Sequence, residues 1–508
     1  MLGDTGTLLG LLSVLLVSVA TLAIGSWGLR LSRTTSDFFV ASRSVRPGLN
    51  GYAISGEYLS GASFLGIAGL VLSNCAEMLW YPVGWTAGYL VLLCLVAAPL
   101  RRSGAYTLPD FAEARLHSRG VRRASALLVV VIGFLYLMPQ FQGAGVALET
   151  TTGLPPWAGG LAVAVVVLLN VLAGGMRSVT FVQAFQYWLK LTALLVPLVF
   201  LVLVWLGDGG RSPADPGLVS AGVDGLAWAD PIDFAGDHPL YSTYSLMVAT
   251  FLGVMGLPHV VVRYYTNPDG RAARQTTLAV LALLGAFYVL PPVYGALGRL
   301  YAPELAASGS DSVVLALPGV MVGGLGGDLL TALLTAGAFA AFLATSSGLT
   351  VAVAGVLTQD VASRRFEGVT AFRLSAVAAV VVPYALSLVT REVGVATVVG
   401  LAFAMAAATF CPLLLLGIWW RGLTARGALA GLVTGGLLTG AAVVDNLLAD
   451  RTGGWVASLV GQPAAWAVPL AFATMVVVSR LTRAEVPAHT SRFLVRLHTP
   501  ETVRVEPG

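Results

Sequence analysis

Charge is scarce in this 508-residue chain: 11% of residues are Asp, Glu, Lys or Arg, against 57% hydrophobic, and the mean hydropathy is +0.83. A soluble protein carries charge on about a quarter of its residues, so a water-soluble globule is excluded. Lysine is nearly absent. Lys190 is the single one, and the pI of about 9.0 comes from arginines whose placement fits membrane topology rather than nucleic-acid binding. Cysteine is rare too: Cys75, Cys94 and Cys411 stand far apart, without metal-ligand spacing and without a disulfide framework. There is no H-E-x-x-H, no G-x-S-x-G and no P-loop pattern, so no enzyme signature is present. The start, "MLGDTG", lacks the basic residues of a cleaved signal peptide.

Long apolar blocks are what the chain does have, many near the ~20 residues that cross a bilayer. They predict an all-α polytopic membrane protein with about thirteen transmembrane helices. The spans fall near 7–30, 47–73, 78–100, 124–149, 156–175, 180–206, 243–265, 275–301, 325–358, 371–390, 393–419, 425–446 and 463–482. Arginines crowd every second connection: Arg33, Arg43 and Arg46, then Arg101, Arg102, Arg115, Arg119, Arg122 and Arg123, then Arg271 and Arg274, Arg364 and Arg365, Arg421 and Arg426. Alternate loops are poor in arginine, and 207–242 carries six aspartates. The positive-inside rule then places the N-terminus outside and the C-terminus in the cytoplasm of a plasma-membrane protein. The tail "SRFLVRLHTPETVRVEPG" reads equally as an inner-leaflet helix or an ordinary solvated tail.

Two spans look broken. Span two holds Glu57 amid Gly51, Gly56, Gly61 and Gly66 and the serines 55, 60 and 63, and the break is expected near Ser55–Gly56. Five spans later, "MVATFLGVMGLPHVVVRYY" places Gly253, Gly256 and Pro258 in an apolar run. Five is odd, so the two spans cross in opposite directions, which is the sequence pointer to an inverted-repeat transporter. Each feature also has a bland reading. Glycines at this spacing serve helix packing, and Pro258–His259 reads equally as a kink with a satisfied histidine. Thr345, Ser346 and Ser347 bond back to their own helix or line an ion site. Glu57 resists the bland reading, because a central carboxylate costs roughly 3 kcal/mol to insert and faces a cavity or a partner. Lys190 either pairs with a carboxylate or snorkels. A channel needs a continuous polar pore, whereas the polar residues here gather near the midplane. A sensor normally carries a signalling domain, for which the stretch after 482 is short.

"NGYAISGEYLSGASFLGIAGLV", "GGMRSVTFVQ" (174–183), "GLPHVVVRYYTNPDGRAARQT", "SSGLTVAVAGVLTQD" and "VVGLAFAMAAATFCPLLLLGIWWRGLTARGA" resemble, in order, the sodium:solute symporter family, specifically its cation–acetate (monocarboxylate) branch. The resemblance runs from about residue 35 to 430. It implies a leucine-transporter-like 5+5 inverted repeat. On that basis 1–46 hold the first helix and loop, 47–206 the first five-helix repeat and 207–242 an extracellular loop. The second repeat is 243–419, two extra helices are 420–482, and the cytoplasmic tail is 483–508. The resemblance also implies residues. Sodium is expected between spans two and nine, at the carbonyls of Gly51, Ile54 and Ala341, with Ala344 and Thr345; where relatives often have two adjacent hydroxyl residues, this chain has Ala344 then Thr345. Gln183 matches a carboxylate on the sodium exit path of some relatives. Substrate contacts match Ala53, Glu57, Tyr58, Pro258 and His259, with Gln140 and Gln142 added as candidates from this chain.

The implied activity is import of a small monocarboxylate (acetate, propionate or pyruvate type) with a cation, sodium or alternatively a proton. The other reading is sodium-coupled symport of another small solute such as an amino acid. No organic cofactor, nucleic acid or obligate protein partner is implied; the partners are a small carboxylate and the lipid bilayer. One cation with one monocarboxylate moves no net charge, so a tenfold ion gradient supplies only about 1.4 kcal/mol.

Overall fold

The computed structural model describes residues 4–29, 44–213, 228, 232, 237–360, 368–390, 394–448 and 453–501. All regular structure among them is helical. Ten helices are long and apolar enough to cross a membrane, and twelve if each of two bent pairs counts as one span. The thirteenth expected span, 156–175, contains the shorter apolar stretch Pro156–Leu172.

The chain opens with α1 (Asp4–Leu29). Span two is α2 (Pro47–Tyr58) and α3 (Ile67–Asn74), joined through a π-helical turn at Ala62–Gly66 and bent by 69°. Span three is α4 (Trp80–Leu95), followed by the short α5 (Ala97–Arg102) and α6 (Leu108–Leu116). Then come α7 (Arg119–Thr152) and α8 (Pro156–Gly207), the latter kinked where Gly175 takes φ 58° and ψ −160°. That kink divides α8 into the two spans read from the sequence.

The second broken span is α9 (Pro239–Gly253), one 3-10 turn at Val254–Gly256, then α10 (Pro258–Tyr264), bent by 44°. The glycines let α9 sink onto a neighbouring helix. A Cβ on Gly253 would lie 2.6 Å from the Phe403 carbonyl oxygen, and one on Gly256 2.5 Å from that of Ala406. Next come α11 (Gly270–Tyr288), α12 (Leu290–Tyr301), α13 (Val313–Met321) and the 37-residue α14 (Gly324–Asp360). After them run α15 (Gly368–Val389), α16 (Val395–Trp419), α17 (Ala425–Leu448), α18 (Gly454–Gly461), α19 (Ala464–Leu481) and α20 (Thr490–His498). Of α14 and α16, 83% and 89% of the most apolar window is buried inside the protein. These two are the centre of the bundle, while α1 faces outward along most of its length.

Two expectations change here. The first break lies at Leu59–Gly61, not at Ser55–Gly56: Leu59 N still donates to Ser55 O at 3.1 Å, and helical pairing resumes with Phe64 N to Ser60 O. The reason is packing. A Cβ on Gly56 would stand 2.0 Å from the Gln183 carbonyl oxygen, so Gly56 serves a close approach of α8. The second concerns the tail, whose start packs its apolar face against the protein. Phe493, Leu494 and Leu497 of α20 are buried, with Phe493 6.2 Å from the ring of Phe111. Arg115, fully buried, donates to Gly417 O (3.0 Å), Trp420 O (3.1 Å) and Thr490 Oγ1 (3.0 Å). Glu501 reaches both Arg102 (3.3 Å) and the Gly270 amide (2.8 Å). The tail thus ties α5, α6 and the start of α11 together at the arginine-rich end.

Candidate substrate and ion site

A break in a membrane helix releases carbonyls that must find partners within the protein. At the first break they find side chains. The Lys190 ammonium, reaching in from α8, donates to Gly56 O and to Leu59 O (2.7 Å). Thr345 Oγ1 of α14 donates to Glu57 O (2.5 Å). On the far side of the break, the Gly61 amide donates to Gln140 Oε1 (3.0 Å) from α7.

The Glu57 carboxylate does not pair with Lys190. Its Oε2 accepts from Arg263 Nε at 2.6 Å, and both side chains are almost fully buried, at 2% and 1% exposure. Arg263 belongs to α10, so the ion pair joins the two broken spans. The guanidinium also donates to Thr180 Oγ1 (2.8 Å) and to Gln183 Oε1, while Gln183 Nε2 donates to Ala344 O (2.8 Å). Gln183 therefore bridges α8, α10 and α14. Gly348 makes room for the pair, since a Cβ there would lie 1.9 Å from Glu57 Oε1.

Beside this network is a buried aromatic cluster. The Tyr58 ring stands 4.9 Å from Tyr89 and 6.4 Å from Phe403; Phe403 is 5.5 Å from Trp85 and 6.0 Å from Tyr136; His259 is 5.1 Å from Tyr136. Tyr58 OH, Tyr89 OH, Trp85 Nε1 and both ring nitrogens of His259 are buried without a hydrogen-bond partner among the described residues. Buried polar atoms are normally bonded, so a cluster of unpartnered ones beside two helix breaks is a candidate site for a polar ligand.

The chain matches the Sodium:solute symporter family over residues 38–435. It belongs to that family. A relative in Bacillus subtilis (strain 168), the "Uncharacterized symporter YwcA", is 32% identical over 429 residues, covering 82% of each chain. Among solved structures, the fold is similar to a substrate-bound, outward-open Na+-coupled sialic acid symporter, with TM-score 0.67, 14% identity, and 92% and 98% of the two chains covered. It is also similar to MhsT in complex with L-phenylalanine, with TM-score 0.51, 13% identity, and 89% and 95% covered. The fold is thus the leucine-transporter-like inverted repeat of secondary transporters, which are not enzymes.

Within this family fold the expected residues divide. Glu57, Tyr58, His259, Gln140 and Thr345 all lie at the breaks or in the aromatic cluster, Pro258 opens α10, and Ala53 and Ala341 are buried in α2 and α14. Gln142 is placed elsewhere: its Nε2 donates to Thr390 O at 2.7 Å, beyond the end of α15. Two residues along a helix turn the side chain through about 200°, so Gln140 and Gln142 face different neighbours. The five expected sodium-site residues are all buried, Gly51 and Ile54 in α2 and Ala341, Ala344 and Thr345 in α14. Gly51 faces α11, where its Cβ would meet Ala279 at 2.9 Å; Ala344 O is taken by Gln183 and the Thr345 hydroxyl by Glu57 O. In span two the carbonyls of Gly56 and Leu59 accept from the Lys190 ammonium, with the same three-residue spacing as Gly51 and Ile54 but five residues further on. Arg263 was missed by sequence reasoning, although span 243–265 already enclosed it and an arginine inside a span is itself a functional signal.

Proposed function

We propose that this symporter imports a small monocarboxylate, of acetate, propionate or pyruvate type, together with a cation, by alternating access around the two broken spans. One observation supports the anion most directly. The charged side chains joined to the breaks are Glu57, Arg263 and Lys190, which sum formally to one positive charge in a membrane interior. A monocarboxylate offsets the further positive charge of a co-bound cation, whereas a zwitterion leaves that charge uncompensated. Tyr58, Tyr89 and His259 supply unspent polar atoms to orient its oxygens. Sodium is the coupling ion that membership of the family favours, and a proton is the alternative. The Na+-coupled sialic acid symporter of the same fold favours a second reading, sodium-coupled import of another small solute. The arginine-rich end, with α20, faces the cytoplasm of a plasma-membrane protein in this proposal, and the N-terminus lies outside.

The test is uptake of radiolabelled acetate, pyruvate and proline into proteoliposomes under separately imposed sodium and pH gradients. Acetate or pyruvate accumulating with inward sodium is the expected result. Accumulation of proline alone would assign the second reading, and acetate uptake that follows pH and ignores sodium would assign the proton. Electroneutral one-to-one symport predicts indifference to membrane potential; a second cation would add roughly 2.3 kcal/mol per 100 mV.

A further inference from the structure

Lys190 is not explained by transport of an anion alone. It is the chain's single lysine, its exposure is 0%, and its ammonium is spent on two backbone carbonyls rather than on the carboxylate beside it. A neutral donor suffices for a freed carbonyl, as Thr345 shows at Glu57 O. A charged group in the same role carries a desolvation cost of several kcal/mol. What the charge adds is the ability to gather several oxygens around one positive centre, which is the work of a bound metal ion.

We propose that Lys190 is a tethered cation of the first break: its ammonium holds the Gly56 and Leu59 carbonyls in the place of a metal ion, so a sodium ion engages those two oxygens only in competition with it. The charged group acting on it is Glu57 on α2, already paired with Arg263 on α10; α14 presents the Thr345 hydroxyl and the Gly348 backbone to Glu57 rather than to the lysine. Removal of the lysine charge therefore leaves a balanced ion pair and two unclaimed carbonyls, which a metal ion can take.

This rests on the transport reading for its purpose but not for its test, which is thermal unfolding of the purified full-length protein in sodium, potassium or N-methylglucamine chloride at constant ionic strength. Lys190→Met removes the charge, Lys190→Gln keeps an N–H donor without it, and Lys190→Arg keeps the charge. In the two neutral variants the sodium concentration giving half-maximal stabilisation is expected to fall at least about tenfold below that of the wild type, with potassium less effective. Lys190→Arg keeps the wild-type response. If the neutral variants accumulate only when sodium is present throughout purification, the same competition is seen. A wild-type sodium response in both neutral variants overturns the proposal, and so does equal loss of both in all three salts, because a vacated cation seat responds to cations. Failure of the wild type to carry any monocarboxylate would sink the transport reading and leave the melting result standing.

Discussion

The Glu57–Arg263 pair allows an asymmetric prediction. Removing one partner of a buried ion pair costs about 3–5 kcal/mol, because the other charge is left in a poorly solvating interior. Lys190 makes the two removals unequal. Glu57→Gln leaves two cations, Arg263 and Lys190, with no anion between them, so it belongs at the upper end of that range. Arg263→Gln leaves Glu57 next to Lys190, whose Nζ already holds the carbonyls of Gly56 and Leu59 on either side of the Glu57–Tyr58 pair; a modest swing of the carboxylate finds a new counter-ion. Its cost belongs at the lower end, about 3 kcal/mol, even with the Thr180 and Gln183 bonds also lost. The double variant restores the native surplus of one positive charge. It should be less damaged than the sum of the singles by at least about 2 kcal/mol, a coupling typical of residues in one network. Reversible unfolding in mixed micelles, followed by circular dichroism, measures all four corners of the cycle. Additivity to within about 0.5 kcal/mol, or Arg263→Gln proving the more damaging single change, would refute the reasoning.

The Thr345 hydroxyl makes one bond, to Glu57 O, so Thr345→Ala should cost about 1 kcal/mol at the break; if that hydroxyl also serves sodium, half-maximal uptake will need roughly fivefold more sodium, with Thr345→Ser behaving as wild type. An unchanged sodium requirement in Thr345→Ala removes that residue from the ion site. At the tail, Leu497 is 0% exposed, so Leu497→Ala should destabilise by about 2–3 kcal/mol and make the α20 segment the first site of limited proteolysis; unaltered protease resistance would mean that α20 is not held by its apolar face.

What could be read before any coordinates follows the physics of each signal. Apolar block length is set by the bilayer, so span positions were legible to within a few residues. The break at Val254–Pro258 was legible because proline and close-packed glycine act there together. The first break was displaced because small residues have two uses, unwinding and close approach, and at Gly56 the second prevails. Arg263 escaped notice because an apolar run continues almost up to it, which made it look like a flank. Whether Glu57 pairs with Lys190 or with Arg263 depends on how α8 and α10 are set against α2, a matter of three dimensions that spacing along one chain does not encode. The docking of α20 was equally hidden, since its nine residues show an amphipathic stripe that fits lipid or protein alike.

A chain whose single lysine is fully buried is almost invisible to amine chemistry. Acylating reagents, aldehyde cross-linkers and lysine-modifying enzymes find the α-amino group and, beyond it, only Lys190. Any modification recovered at Lys190 is therefore a record that water and reagent reached the centre of the bundle. The same scarcity that marks the chain as a membrane protein gives it a single built-in reporter of its own opening.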